Sequence, residues 1–281
     1  MPSPSEIDLV CQGRHGDPFA VLGPHRNAAG GVSVRALMPG AQAVVVLAAD
    51  TDKPLGTLRQ RHADGFWAGP VALAMLADGR PGAYRLQVTW ADGTVQRIDD
   101  PYRFGPLLGA LDAWLLAEGT HLRPFEVLGA TPRLHEGVEG TGFAVWAPNA
   151  SRVSVIGDFN QWDGRRHPMR LRRECGVWEL FVPGLAAGAR YKYELLGPQG
   201  ELLPHKADPM ARAAELRPAT ASVVATLPAK VPASSVRQTA NALNAPISIY
   251  EVHPGSWRRK PEEGDRWLTW DELAAELVPH A

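Results

Sequence analysis

Phe19-Ala20-Val21-Leu22-Gly23 returns further along the chain as Phe125-Glu126-Val127-Leu128-Gly129. Outward from this pair, Met38-Pro39-Gly40-Ala41 matches Ala147-Pro148-Asn149-Ala150, Phe66-Trp67 matches Val177-Trp178, and Asp100-Pro101 matches Asp208-Pro209. The separation stays near 106 to 111 residues at every marker. A period of that length describes one duplicated domain, since solenoid repeats run roughly 20–50 residues. The stretch beyond the second copy is too short to be a third. The 281 residues therefore divide into two related modules, 1–106 and 107–225, and a tail, 226–281.

Both modules read as immunoglobulin-like β-sandwiches. In the second, Thr141-Gly142-Phe143-Ala144-Val145-Trp146-Ala147 alternates as a half-buried strand should, and Pro148-Asn149 ends it. Strands are expected again at Val153 to Val155, at Gly176 to Val182 and at Arg190 to Leu195, with turns at Gly157-Asp158 and Gly197-Pro198-Gln199-Gly200. Short strands broken by Gly and Pro turns at this spacing are the sandwich pattern. The first module repeats it at Gly31 to Leu37, Ala43 to Leu47 and Ala83 to Val88. Leu107, Leu108, Leu111, Leu115 and Leu116 fall at near-helical spacing, so the connector 107–118 is expected to be a helix. Trp67 and Trp178 hold equivalent places, which points to a shared packing role.

The tail changes character. Leu227-Pro228-Ala229-Lys230-Val231-Pro232-Ala233-Ser234-Ser235 has linker composition. Pro246-Ile247-Ser248-Ile249-Tyr250-Glu251-Val252-His253 reads as a strand. Thr269-Trp270-Asp271-Glu272 is a capping box, and Trp270, Leu273, Ala274, Leu277 and Val278 then form one apolar stripe. A strand followed by an amphipathic helix is the opening unit of a parallel α/β domain.

Composition bounds the function. A formal net charge of −1 gives no electrostatic case for nucleic acid or an anionic membrane surface. Met1-Pro2-Ser3-Pro4-Ser5-Glu6 lacks a basic n-region and an apolar core, and no apolar run approaches a membrane span. Cys11 and Cys175 sit in different modules without metal-ligand spacing, and the histidines form no metal-like cluster, so free thiols, no cofactor and a cytoplasmic location are expected.

Several stretches carry a family resemblance. They include His15-Gly16-Asp17-Pro18-Phe19-Ala20-Val21-Leu22-Gly23, Ile98-Asp99-Asp100-Pro101-Tyr102-Arg103-Phe104-Gly105-Pro106 and Leu116-Ala117-Glu118-Gly119-Thr120-His121-Leu122-Arg123-Pro124. Phe143 to Ala150, Gly157 to Arg170, and Ala245 to Arg259 extend it over almost the whole chain. In these the sequence resembles the N-terminal part of bacterial glycogen branching enzymes, members of the α-amylase-like glycoside hydrolase superfamily. The resemblance implies an N-terminal sandwich, a carbohydrate-binding sandwich of the family-48 type, and then a catalytic (β/α)8 barrel, of which the tail 226–281 would be the linker and the first β/α unit, truncated. It further implies that α-1,4 links in glycogen are cut and the freed segments moved to 6-hydroxyls, by a retaining double displacement on two carboxylates. Those carboxylates lie on later barrel strands, so this polypeptide alone is expected to be inactive. A stand-alone glucan-binding module, and part of a debranching enzyme or trehalohydrolase, remain alternatives.

Four residues are candidates for function. By resemblance, Trp162 and Lys192 match glucan-contacting positions of family-48 modules, and Asn160 lies beside Trp162. A flat indole suits the apolar face of a glucose ring, while an amide and an ammonium suit its hydroxyls. The second aromatic such modules carry before their Asp-Pro pair is missing from Leu202-Leu203-Pro204-His205-Lys206-Ala207. His253 ends the expected tail strand, and barrel strand ends of that polarity face the active cleft.

Overall fold

The computed structural model describes residues 2–27, 30–76, 81–227, 229, 232, 234–240 and 242–281. The chain forms two compact units, Met1–Leu227 and Pro228–Ala281. It is mainly β, with 36% strand and 19% helix.

The first unit opens with a helix, α1 (Pro4–Cys11), started by a capping box between Ser3 and Glu6. Seven strands come next: β1 (Gly23–Arg26), β2 (Val32–Leu37), β3 (Ala41–Ala48), β4 (Pro54–His62), β5 (Phe66–Val71), β6 (Tyr84–Trp90) and β7 (Val95–Asp99). They pair antiparallel in the order β1-β2-β5-β4-β3-β6-β7. The sandwich expectation is corrected here, because the strands make one curled sheet and not two separate leaves. β4 is the cause: it pairs with β5 along one edge and β3 along the other. The register slips between Gln60 and His62 on β4 and between Val46 and Leu47 on β3. Such bulges bend a strand and increase its twist, which rolls the sheet onto itself. Val34, Val44, Val46, Leu58, Trp67, Tyr84 and Leu86 fill the interior of the roll. Beyond Ala48 the chain turns back tightly through Asp52 (φ 54°), with Ala48 N–H donating to the Lys53 carbonyl.

The second module begins with α2 (Ala110–Glu118), the helix expected over 107–118, which Gly119 ends in a left-handed cap. Its strands are β8 (Gly129–His135), β9 (Val138–Trp146), β10 (Arg152–Gly157), β11 (Arg170–Arg172), β12 (Val177–Pro183), β13 (Arg190–Leu196), β14 (Ala213–Ala214) and β15 (Ser222–Val223). They form two four-stranded sheets, β11-β12-β9-β8 and β10-β13-β15-β14. Phe143, Val145, Trp178 and Leu180 from the first sheet meet Val153, Val155, Tyr191 and Tyr193 from the second in one core. That core continues into the first module through Ile7, Val10 and Cys11 of α1, and through Leu37, Phe66 and Tyr102. Trp67 and Trp178 are both buried, as their equivalence implied. On the outer face of β9, Ala144 is covered by Ala113 of α2 with Leu108 and Leu128. Trp146, on that same outer face, stays 61% exposed.

The second unit departs from expectation. Residues 246–253 form no strand. A strand is stable only when neighbours complete its ladder and cover a face. Among the described residues of this unit the only pairing is the two-residue ribbon β16 (Arg259–Lys260) with β17 (Arg266–Trp267). No barrel is therefore seen. Around it lie α3 (Ser235–Ala240), α4 (Pro254–Trp257) and α5 (Trp270–His280). The capping box of α5 forms as read from sequence, Thr269 Oγ1 accepting from Glu272 N–H while the Glu272 carboxylate accepts from Thr269 N–H at 2.8 Å. Arg266 is clamped by Glu272 at 2.8 Å and by Glu263. Of the apolar stripe, Leu273 is buried, whereas Trp270 and Val278 remain exposed. Within the expected linker, Pro228, Lys230, Val231 and Ala233 lie outside the described residues.

Candidate functional site

The site grows from one pair of strands. β10 and β13 run antiparallel with Ile156 opposite Lys192 and Gly157 opposite Tyr191. Because strand side chains alternate, Tyr191 and Tyr193 point into the core while Arg190, Lys192 and Glu194 line the outer face. After Gly157 the chain makes a single helical turn, Asp158–Asn160, and then places Gln161 (φ 59°) and Trp162 (φ 58°) consecutively in the left-handed region. Two such non-glycine residues in a row are unfavourable unless held from outside.

Asn160 does the holding. It is 2% exposed, its Oδ1 accepts from Gly157 N–H at 2.9 Å and its Nδ2 donates to the Val155 carbonyl at 2.9 Å. Its amide also meets His167 Nδ1 at 2.9 Å. With its amide used in this way, Asn160 lies beneath the loop and shapes it. The sequence placed it beside the ligand; the structure places it under the residue that would meet the ligand.

Trp162 is half-buried, its backbone N–H donating to the Gly157 carbonyl and its indole Nε1–H to Asp158 Oδ1 at 3.0 Å. Asp158 also accepts from Arg190 Nε at 2.8 Å, and the indole and guanidinium together hold its carboxyl below the usual range. Arg190 continues to Glu215 at 3.2 Å. Lys192, one strand repeat along, donates from Nζ to Thr220 Oγ1 at 2.7 Å. The outer face of β13 thus carries two polar groups, Trp162–Asp158–Arg190 and Lys192–Thr220. Sequence reading named Trp162 and Lys192 but not their neighbours Asp158, Arg190 and Thr220. The alternation along Arg190-Tyr191-Lys192-Tyr193 was the signal available for Arg190.

Segment 202–206 pairs along the edge of β13, with Lys206 N–H donating to the Tyr193 carbonyl, and His205 Nε2 lies 3.5 Å from Glu194. It brings Leu202, His205 and Lys206, but no aromatic ring. His253 lies in the other unit. It caps α4, is exposed, and its Nδ1 meets Ser256 Oγ at 2.9 Å. The strand whose end it was expected to occupy does not form.

Four other carboxylates, Asp99, Asp100, Glu263 and Glu272, have structural work. Asp99 bonds Arg103 at 2.8 Å, Asp100 is buried against Tyr84, Glu263 holds Arg266, and Glu272 caps α5. Among the described residues no group of three or more His, Cys, Asp or Glu side chains could hold a metal ion. No helix of the described residues is long and apolar enough to cross a membrane.

The first unit is thus two tandem β modules, the second with an indole and basic side chains on an outer strand face. Residues 127–211 match carbohydrate-binding module 48 (isoamylase N-terminal domain), and residues 3–102 match the alpha-1,4-glucan branching enzyme GlgB, N-terminal domain. Over 277 residues the chain is 53% identical to the 1,4-alpha-glucan branching enzyme GlgB of Paramagnetospirillum magneticum, a match that covers 97% of this chain and 36% of that protein. Over these N-terminal domains the chain is thus similar to the GlgB branching enzymes, and it spans about a third of the length of this curated relative. Among solved structures, PulA of Klebsiella pneumoniae is 18% identical over 68% of this chain and 20% of its own, with a TM-score of 0.31. Pullulanase of Anoxybacillus sp. LM18-11 is 16% identical over 73% of this chain and 28% of its own, with a TM-score of 0.32. Likenesses that slight carry no argument.

Proposed function

We propose that these residues are the glucan-holding N-terminal part of a glycogen branching enzyme working in the cytoplasm. In this reading the outer face of β13 keeps an α-1,4-glucan close to a catalytic barrel that cuts α-1,4 links and forms α-1,6 branches. The observation that carries it is the indole of Trp162, tied through Asp158 to Arg190, with Lys192 two residues further along the same strand face. A glucose ring stacks its apolar C–H face on the indole, and the cationic side chains and Thr220 bond its hydroxyls. With one aromatic in place of two, binding through this face alone is weak and gains from many sites along a polymer. The capped α5 helix, with Trp270 and Val278 exposed, supports its assignment as the first helix of that barrel. The bulged first module corresponds to the first of two tandem immunoglobulin-like domains, rolled closed.

Affinity electrophoresis of the 281-residue chain through glycogen-containing gels tests this reading. The wild-type chain should be retarded, and Trp162→Ala should migrate as it does without glycogen while keeping its melting temperature. Equal retardation of both proteins sinks the assignment. The chain itself should form no α-1,6 links from amylose, and new branches detected in that assay would place catalytic groups within these residues.

A further inference from the structure

The two polar groups on the outer face of β13 meet at one further residue, Glu215. Arg190 uses all three of its guanidinium nitrogens: Nε and Nη2 each lie 2.8 Å from Asp158 Oδ2, and Nη1 donates to Glu215 Oε1 at 3.2 Å. Asp158 Oδ1 is left for the Trp162 indole. The second carboxylate oxygen of Glu215, Oε2, accepts from Ala221 N–H at 3.0 Å. Ala221 follows Thr220, whose hydroxyl receives the Lys192 ammonium.

Glu215 stands at the mouth of a small loop. β14 and β15 pair as Ala213 with Val223 and Ala214 with Ser222, and Glu215 N–H then donates to the Ala221 carbonyl at 3.0 Å. Residues 216–220 are all exposed, so hydrogen bonds and not burial set where Thr220 stands. The Glu215 side chain is 19% exposed, against 50% for Asp158 and 52% for Arg190, which makes it the most sheltered carboxylate of the face. The Ala221 N–H and, after it, Arg190 hold its carboxyl below the usual range, so both partners favour the charged form. Isolated exposed ion pairs contribute little, but a forked guanidinium within a network of several charges is the case where they count.

We propose that Glu215 is the positioning residue of this face: its carboxylate ties the Trp162 indole and the Lys192 ammonium into one frame without touching a ligand itself. This role rests on the reading of that face as a glucan site, and it adds the residue that fixes the spacing of the two contact groups. Trp162 comes from the loop after β10 and Lys192 from β13, so their relative placement needs a third party. Groups already held in place do not have to be ordered at the moment of binding, which is where such a residue acts on affinity.

Indole and amide resonances of the ¹⁵N-labelled 281-residue chain read this coupling without any ligand. The Trp162 Nε1–H signal is identified by its loss in Trp162→Ala. In Glu215→Ala both that signal and the Ala221 amide should move. Glu215→Gln offers one acceptor oxygen where two are used, so it should hold one of the two signals near its wild-type position and release the other. A residue that only closed the loop would move Ala221 alone in both variants. Glycogen affinity, read from gel retardation, should fall by about two- to fivefold in Glu215→Ala with little change in melting temperature. An indole signal unmoved by Glu215→Ala, a Glu215→Gln chain with both signals in place, or unaltered retardation beside a retarded wild type overturns the proposal. A wild-type chain that glycogen does not retard removes the glucan reading instead, and the resonances then decide the coupling by themselves.

Discussion

The Tyr84 hydroxyl donates to Asp100 Oδ2 at 2.6 Å, across 16 residues of sequence and out of contact with water. The second module repeats the bond between Tyr191 and Asp208 at 2.7 Å. In each copy the other carboxylate oxygen accepts from a backbone N–H two residues on, Tyr102 in one and Met210 in the other. The bond fastens the chain leaving each module to the inside of a central strand. It also shows that the sequence repeat is a repeat of structure.

The two copies differ in redundancy, and that difference is measurable. Asp208 Oδ2 has a second donor, the Tyr193 hydroxyl at 3.2 Å, whereas Asp100 Oδ2 has Tyr84 alone. Removing the hydroxyl with Tyr84→Phe leaves a buried acceptor unpaired, a loss of about 1–3 kcal/mol. Tyr191→Phe should cost less, since Tyr193 remains. Urea unfolding of both variants checks the order, and equal losses would refute the argument.

Asp100 also sets a pH dependence. Burial, the largest influence, outweighs the Tyr84 and Tyr102 bonds and raises its carboxyl from 3.8 to about 6. The folded state therefore holds a proton there that the unfolded chain releases. The stability this confers is present in full below about pH 4 and is lost as pH rises through 6, on the order of 3 kcal/mol. His167 works oppositely. Its folded pKa of about 4 confers stability above the ordinary value of 6.5 that is lost as pH falls towards 4. The wild type should thus show a shallow profile between pH 4 and 6. Asp100→Asn should unmask a rise in stability with pH across that window, read by urea titration at each pH.

Gly23 and Gly129 open equivalent strands with φ of 85° and 91°. A Cβ on Gly23 would lie 2.6 Å from the Tyr102 carbonyl, and on Gly129 2.8 Å from that of Met210. In both cases the obstacle is backbone, which cannot swing away, and the left-handed φ adds strain. Gly23→Ala and Gly129→Ala should each lower stability by about 2 kcal/mol or more. Gly93→Ala, at a positive φ in open space, should cost about 1 kcal/mol. Thermal melts of the three variants compare them directly.

Asn160 and Trp162 should separate shape from contact. Asn160→Ala removes the bonds to Gly157 and Val155 and frees the strained turn, so both stability and glycogen retention should fall. Trp162→Ala should reduce retention with little change in melting temperature. Asn160→Ala that loses retention at unchanged stability would return Asn160 to the ligand surface.

Much of this fold was legible where period-two alternation is strong. Residues 141–147, 176–182 and 190–195 became β9, β12 and β13 because one face of each lies in a core. The curl of the first module was not legible, since the bulge at Gln60–His62 falls in a polar stretch without alternation. α1 was missed although Ser3 and Glu6 carry a capping box, because Met1 to Glu6 was read only for a leader and the eight-residue helix is too short to show a clear period. The strand expected at 246–253 shows the opposite error. Its apolar pattern is real, but pattern alone supplies no neighbour to complete a ladder. At the site, a Gly-bounded aromatic loop identified Trp162, whereas the burial of Asn160 depends on a turn geometry that residue types do not encode.

Ala48 and Gly157 stand opposite the two equivalent tyrosines, Tyr84 and Tyr191, and so mark the same point in each copy. After Ala48 the chain reverses within a few residues; after Gly157 it wanders through the whole stretch that bears Asn160, Trp162 and Arg166 before β11 begins. If the proposed function holds, a single lengthened connection is what makes one twin a receptor and leaves the other a brace. Grafting that connection after Ala48 would, by the same logic, give the brace a grip of its own.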